Sequence, residues 1–224
     1  MTITLRGPHI EISGRLSDFC DDLILWHADI RMWATDGPDD EEPTGTVSVG
    51  SITFVTGNDR NGDLADGLDS ESGDLEVFDL ILRKEEEIVE QFTGKLMEGV
   101  LLIDKTFVHP ALRGHDISAW ACAEIIHMTT LTSSDTLVAS YPMPTEKRPG
   151  RKADGARRLA ANAAKFGLKR IKAAPAFVGG TTDMNTMSKA REALASVTNL
   201  ELNDLDGTLF GPPVPEPEGV LVEY

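Results

Sequence analysis

The sequence predicts an α/β (α+β) fold, a mixed β-sheet flanked by helices, and three stretches carry that expectation. Residues 99–127 (GVLLIDKTFVHPALRGHDISAWACAEIIH) read as a strand, a tight turn and a helix. Residues 135–143 (DTLVASYPM) read as a second buried strand, ending at Pro142. Residues 44–56 (TGTVSVGSITFVT) are rich in Val, Ile, Thr and Phe, which suit a pleated, half-buried surface. Strand, helix and strand in succession imply a parallel pair joined by a right-handed crossover, and so a layered fold.

The chain has 224 residues, enough for a sizeable core without disulfides. Its apolar fraction of 41% and charged fraction of 26% are those of a globular protein. A net charge of -16 argues against broad nucleic-acid or anionic-membrane binding, which needs clusters of Lys and Arg. It is compatible with a cationic or amine substrate. Cys20 and Cys122 form no CxxC pair and read as small buried hydrophobes. The first residues, MTITLRGPHIEISG, contain no apolar leader, and no segment is long enough to span a bilayer. A cytoplasmic protein is the default expectation.

Taken in order, residues 3–13 alternate with an interruption at Gly7-Pro8, as one broken strand or two short ones. Residues 16–26 could be a short amphipathic helix; residues 23–33 (LILWHADIRMW) fit a strand better. Residues 36–43 (DGPDDEEP) are an acidic loop. Gly50 could mark a bulge in the strand that follows. Residues 57–73 begin like a calcium loop, but Leu64 stands where the sharp-turn glycine belongs and Ser70 where the bidentate glutamate belongs. No metal site is expected there or elsewhere. Residues 75–90 (LEVFDLILRKEEEIVE) have helical spacing, with Glu85-Glu86-Glu87 as a solvated face or a helix end.

In the central stretch, Val100-Leu101-Leu102-Ile103 suits a buried strand. Pro110 holds His109 extended and should end sheet pairing near Val108. Arg113-Gly114 turns the chain, and Ile117, Trp120, Ala121 and Ile125 fall on one helical face. Free N–H groups and the positive end of a helix converge at such a corner, which makes it an anion site. Further on, residues 144–154 (PTEKRPGRKAD) form the one basic loop, with Lys147, Arg148, Arg151 and Lys152, followed by Arg157 and Arg158. Residues 155–166 (GARRLAANAAKF) read as a helix stopped by Gly167. Residues 169–178 could add one strand, and residues 185–196 read as a helix. The Pro-rich acidic tail, residues 211–219, should be extended or disordered.

Val108-His109-Pro110-Ala111-Leu112-Arg113-Gly114-His115-Asp116-Ile117-Ser118 resembles the signature motif of the GNAT acyltransferases, a strand, a proline and an Arg-x-x-Gly-x-Gly turn opening a helix. DTLVASYPMP falls where that family's next strand falls, and ARRLAANAAKFGLKRI is similar to its closing helix, with Leu168 where Phe is usual. The acidic insertion before the motif resembles a bacterial subset. The resemblance covers roughly residues 44–171. It implies a GNAT-like domain over residues 1–173, followed by a C-terminal helical extension and Pro-rich acidic tail over residues 174–224. It further implies a centrally splayed sheet holding acetyl-CoA as co-substrate, and transfer of the acetyl group to an amine acceptor that attacks the thioester directly. On that analogy the pantetheine pairs with backbone near Phe107 and Val108, and the pyrophosphate meets Arg113, Gly114, His115, Asp116, Ile117 and Ser118. Asp116 replaces a family glycine and brings a negative charge to the cradle, unless its carboxylate turns away to cap the helix.

Such a transfer needs a proton acceptor for the amine and a donor for the departing thiolate. Asp104 aligns with a frequently acidic family position, and Glu98 shares its strand parity. The closing helix offers Asn162 and Ala163 but no tyrosine, which leaves Tyr141 as the nearest alternative donor. A GNAT-like binding or regulatory module that has lost catalysis is the competing expectation. The C-terminal addition could cover a sheet edge or pair two subunits as a homodimer.

Overall fold

Three long strands open the chain: β1 (Thr2–Leu16), β2 (Leu23–Thr35) and β3 (Gly45–Gly57). A computed structural model describes them and the rest of residues 2–37, 42–58, 63–92, 99–130, 136–143, 152–182 and 185–214. β1 is one strand; its register against β2 shifts between Arg6 and His9, where Gly7 sits at φ 52°. No helix covers residues 16–26. Instead the Ser17 hydroxyl accepts the N–H groups of Phe19 and Cys20 at 3.0 and 3.1 Å, a side-chain-driven turn that closes the β1–β2 hairpin. In β3 the register against β2 skips Val49, so the bulge lies beside Gly50.

The helical insertion follows as α1 (Leu64–Glu71), a 3-10 turn, α2 (Asp79–Leu82) and α3 (Glu85–Phe92). The single helix expected over residues 75–90 is therefore broken. Lys84 N–H bonds to Ile81 O three residues back, which tightens and ends the first piece. Glu85, Glu86 and Glu87 then fill the first turn of α3, where the helix dipole favours anions. The break lets Leu75, Phe78, Ile81 and Ile88 all bury in one cluster.

The second half contains β4 (Gly99–Val108), α4 (Ile117–Thr129), β5 (Thr136–Ser140), α5 (Lys152–Lys165), β6 (Lys169–Arg170), β7 (Val178–Thr181), α6 (Asn185–Leu194) and β8 (Glu201–Asp206). Residues 169–178, expected as one strand, instead hold the whole of β6, a turn and the first residue of β7. Among the described residues the strands form one mixed, mostly antiparallel sheet in the order β6-β7-β5-β4-β3-β2-β1-β8. Only β4 and β5 run parallel. The stretch beyond residue 173 supplies β7, α6 and β8, so two of its three regular elements belong to the sheet.

Helices cover both faces. On one, Ile30, Phe54, Ile103 and Val138 share a cluster with Ile117, Trp120, Phe166 and Leu194. On the other, Leu23, Val55, Leu102 and Leu137 share a cluster with Leu68, Phe78, Ile81 and Phe177. α4 is buried nearly all round, not along one stripe: Ala119, Cys122, Ala123 and Ile126 are buried as well as Ile117, Trp120, Ala121 and Ile125. α6 covers its outer side, and Arg191 clamps Glu124 with two hydrogen bonds of 3.0 Å. Burial holds the Cys122 thiol up to about 12, so it stays protonated and inert.

The C-terminal segment also wraps the sheet. β8 pairs with β1 from Thr2↔Asp206 to Arg6↔Glu201, and Val214 exchanges backbone hydrogen bonds with Thr46 at 3.0 and 2.9 Å. The remainder of the expected tail, the calcium-loop start, part of the acidic loop, Glu98 and most of the basic loop lie outside the described residues. Among those described, no helix is long and apolar enough to cross a membrane.

A Cβ placed on Gly50 would stand 2.4 Å from the Phe107 carbonyl oxygen across the β3–β4 ladder. Gly50→Ala is expected to cost about 1–3 kcal/mol in urea unfolding, because backbone must move to admit it. A loss below about 0.5 kcal/mol, the range of innocuous surface changes, would refute the close approach.

Candidate functional site

Pairing between β4 and β5 runs from Gly99↔Thr136 to Ile103↔Ser140 and stops there. β4 continues to Val108, so the edge of Asp104–Val108 that faced β5 has no strand partner among the described residues. Its other edge stays paired to β3 as far as Gly50↔Val108. The result is an edge in the middle of the sheet that no described strand covers beyond Ile103.

A bulge sits where this gap begins. The β3–β4 register passes from Phe54↔Ile103 to Thr53↔Lys105 and skips Asp104. Bulges re-aim a side chain, and the Asp104 carboxylate reaches Thr53, whose hydroxyl donates to it at 3.2 Å. Lys105 Nζ is 3.7 Å from the same carboxylate oxygen and 2.6 Å from Asp74. Asp104 is largely buried, 18% exposed, and burial pushes its carboxyl above the ordinary aspartate value. The Lys105 charge and the Thr53 hydroxyl oppose that rise without cancelling it.

Tyr141 follows Ser140 as Asp104 follows Ile103, so both stand at the start of the gap. The tyrosine ring is half-buried and packs on Phe177 at 5.0 Å, and Phe177 in turn packs on Phe78 at 5.8 Å. These contacts make it part of the cluster around Phe78 and Phe177 as well as a candidate donor. Glu98, the second expected carboxylate, lies outside the described residues.

The far end of the open edge leads into the turn. Phe107 is exposed and Val108 is buried, and the Arg113 guanidinium returns to bond the Val108 carbonyl at 3.3 Å. His109 Nδ1 accepts the Ala111 N–H at 3.3 Å and the ring lies 4.7 Å from Phe210 of the C-terminal segment. Gly114 has φ 98° with nothing within 4 Å of where a Cβ would stand, and His115 beside it is exposed. Asp116 has φ 60° and ψ 12°, the left-handed region where glycine is at ease and Asp is among the few tolerated alternatives.

That backbone decides what the Asp116 side chain can do. A capping residue normally holds extended dihedrals, and here no side-chain bond caps α4. The carboxylate pairs instead with Lys165 Nζ at the end of α5. The cap by which it was expected to turn away is not made; an ion pair holds the carboxylate instead. Ile117 is buried and takes no part in the turn's surface. Ser118 accepts a hydrogen bond from Asn162 Nδ2 at 3.2 Å, so α5 is tied to the first turn of α4 at two points.

The structure therefore gathers Asp104, Phe107, Val108, Arg113, Gly114, Asp116 and Ser118 along one edge and its adjoining turn. Thr53, Lys105, Asp74 and Lys165 join them without having been singled out in the sequence. Lys105 is the chain neighbour of Asp104, whereas Thr53, Asp74 and Lys165 reach the site from distant parts of the sequence. Of the basic residues in and after the loop at residues 144–154, Arg157 is paired to Asp154 at 2.5 Å. No group of His, Cys, Asp and Glu able to hold a metal occurs among the described residues. No protein-family model, curated protein or solved structure significantly matches the chain.

Because the folded Asp104 carboxyl lies above its unfolded value of about 3.9, ionising it costs the folded protein stability. The cost is absent below that unfolded value and grows as pH rises through the folded one. Asp104→Asn should thus melt higher than the unsubstituted protein at pH 7, with the difference shrinking as the scans move toward pH 3. A melting difference that holds constant across that range would contradict the raised value.

Proposed function

We propose that the protein is an acyl-CoA-dependent N-acyltransferase that moves an acetyl group from acetyl-CoA to an amine. The interrupted β4–β5 pair carries this reading. An extended amide chain such as pantetheine can pair with the free edge at Asp104–Val108 as an added strand does. The same edge runs on to Gly114, Asp116 and the amino-terminal end of α4, where backbone N–H groups and the helix dipole favour a diphosphate. The order of strands around the parallel pair, and the GNAT-like motif in the turn, support the same assignment.

In this reading the amine loses its proton and attacks the thioester carbonyl. The carbonyl carbon forms the new C–N bond, the C–S bond breaks, and the CoA thiolate leaves with a proton. Asp104 is the best-placed proton acceptor, because a carboxyl raised by burial binds a proton more readily than an ordinary one. Lys105 and Thr53 orient it. Tyr141, at the other lip of the gap, supplies a phenolic hydroxyl for returning a proton to sulfur.

A GNAT-like module without catalysis is the second reading, and Asp116 is the observation that favours it, since it sets a carboxylate in an anion-binding turn. Saturating acetyl-CoA separates the two from a protein that binds no CoA at all. At about 100 times its dissociation constant a ligand adds about 2.7 kcal/mol, a rise of several degrees in Tm. We expect that rise, and with it release of free thiol when a panel of primary amines is supplied. A rise without thiol release would favour the module, and no rise would remove both readings.

A further inference from the structure

The carboxylate that stands in the turn is not simply an obstacle to an anion. Lys165 is the last residue of α5, and its ammonium is brought to the amino-terminal end of α4 by its bond to Asp116. Asp116, with its left-handed backbone, makes no side-chain cap bond to α4, and among the described residues no other side chain is seen to cap it. Both partners keep solvent access, at 48% and 38% of the side chain. Exposed ion pairs of this kind are weak and exchange readily. One turn thus holds a cation, an internal anion bound to it, and helix N–H groups that no side chain caps.

We propose that the Asp116–Lys165 pair is an exchangeable latch on the cofactor turn, in which the diphosphate of CoA takes the Lys165 ammonium from the Asp116 carboxylate. The inference rests on the acyl-CoA reading of the site. A diphosphate offers more charge and more acceptor oxygens than one carboxylate, so it competes for the lysine with advantage. A singly charged anion does not, and the latch selects against it. The ion pair also keeps α5 tied to α4 while the turn is empty, beside the Asn162–Ser118 bond. On binding, Lys165 trades a partner on α4 for one on the ligand and remains at the turn.

Titration calorimetry with CoA on the full chain tests the exchange. Asp116→Asn removes the competing charge, and Asn tolerates the left-handed backbone; Asp116→Gly is the second variant should the first fold poorly. Either should bind CoA about tenfold more tightly, while melting no higher than the parent without ligand, because the ion pair is lost. Lys165→Met should weaken CoA binding about tenfold. Its penalty should be larger in the Asp116→Asn background, where the lysine has no internal partner to leave. Those opposite signs in affinity and stability separate a latch from a merely structural bond, which would lower both. If the parent binds CoA and Asp116→Asn binds it within about threefold or less tightly, the latch is overturned and the acyl-CoA reading stands. If neither parent nor variants bind CoA, the acyl-CoA reading fails and takes the latch with it. Binding seen in Asp116→Asn but not in the parent supports the latch in its strongest form.

Discussion

Backbone hydrogen bonding between β4 and β5 lasts through Ile103↔Ser140 and then ceases, and the arrangement of the molecule follows from where it ceases. Before that point both strands are buried between helical layers. Beyond it β4 keeps only one neighbour. Lys105, Thr106 and Phe107 along that stretch are exposed, so water meets the edge where no described strand does. The Asp104 bulge opens this run, and the left-handed residue at Asp116 stands in the turn that follows its end at Val108.

The electrostatics of the path are largely self-compensated. Asp104 faces Thr53 and Lys105, Lys105 faces Asp74, and Asp116 faces Lys165. The chain carries a net charge of -16, and along this edge Asp104 and Asp74 share the Lys105 ammonium while Asp116 pairs with Lys165.

Much of this geometry was legible in the sequence because it is locally encoded. The apolar run at Val100–Ile103, the His109-Pro110 step and the Gly114 turn place β4, its end and the start of α4 from neighbouring residues alone. β5 was equally plain. The broken helices of the insertion were not, since periodicity over residues 75–90 is the same whether the helix is straight or bent to keep Ile88 on the core. Nor was the Lys165 contact, which joins residues 49 positions apart, or the Thr53 contact with Asp104 across 51. The near-complete burial of α4 escaped notice for a related reason: its outer side is covered by α6, and alanines and a cysteine do not announce a second buried face.

β8 lies against β1, with Thr2 opposite Asp206. β1 and β2 can form a hairpin as soon as they are made, but the outer edge of β1 finds its partner only after β8 (Glu201–Asp206) has been synthesised. Until then it is an exposed, hydrogen-bond-competent edge with alternating apolar residues, the kind of surface that recruits other chains. Closing so long a loop adds little to the equilibrium cost, since that cost grows only logarithmically with length, but it delays folding. Yield on expression should therefore depend on how long the nascent chain waits for its last strand, and a chaperone that shields strand edges would matter more to this protein than to one whose outer strands pair with near neighbours.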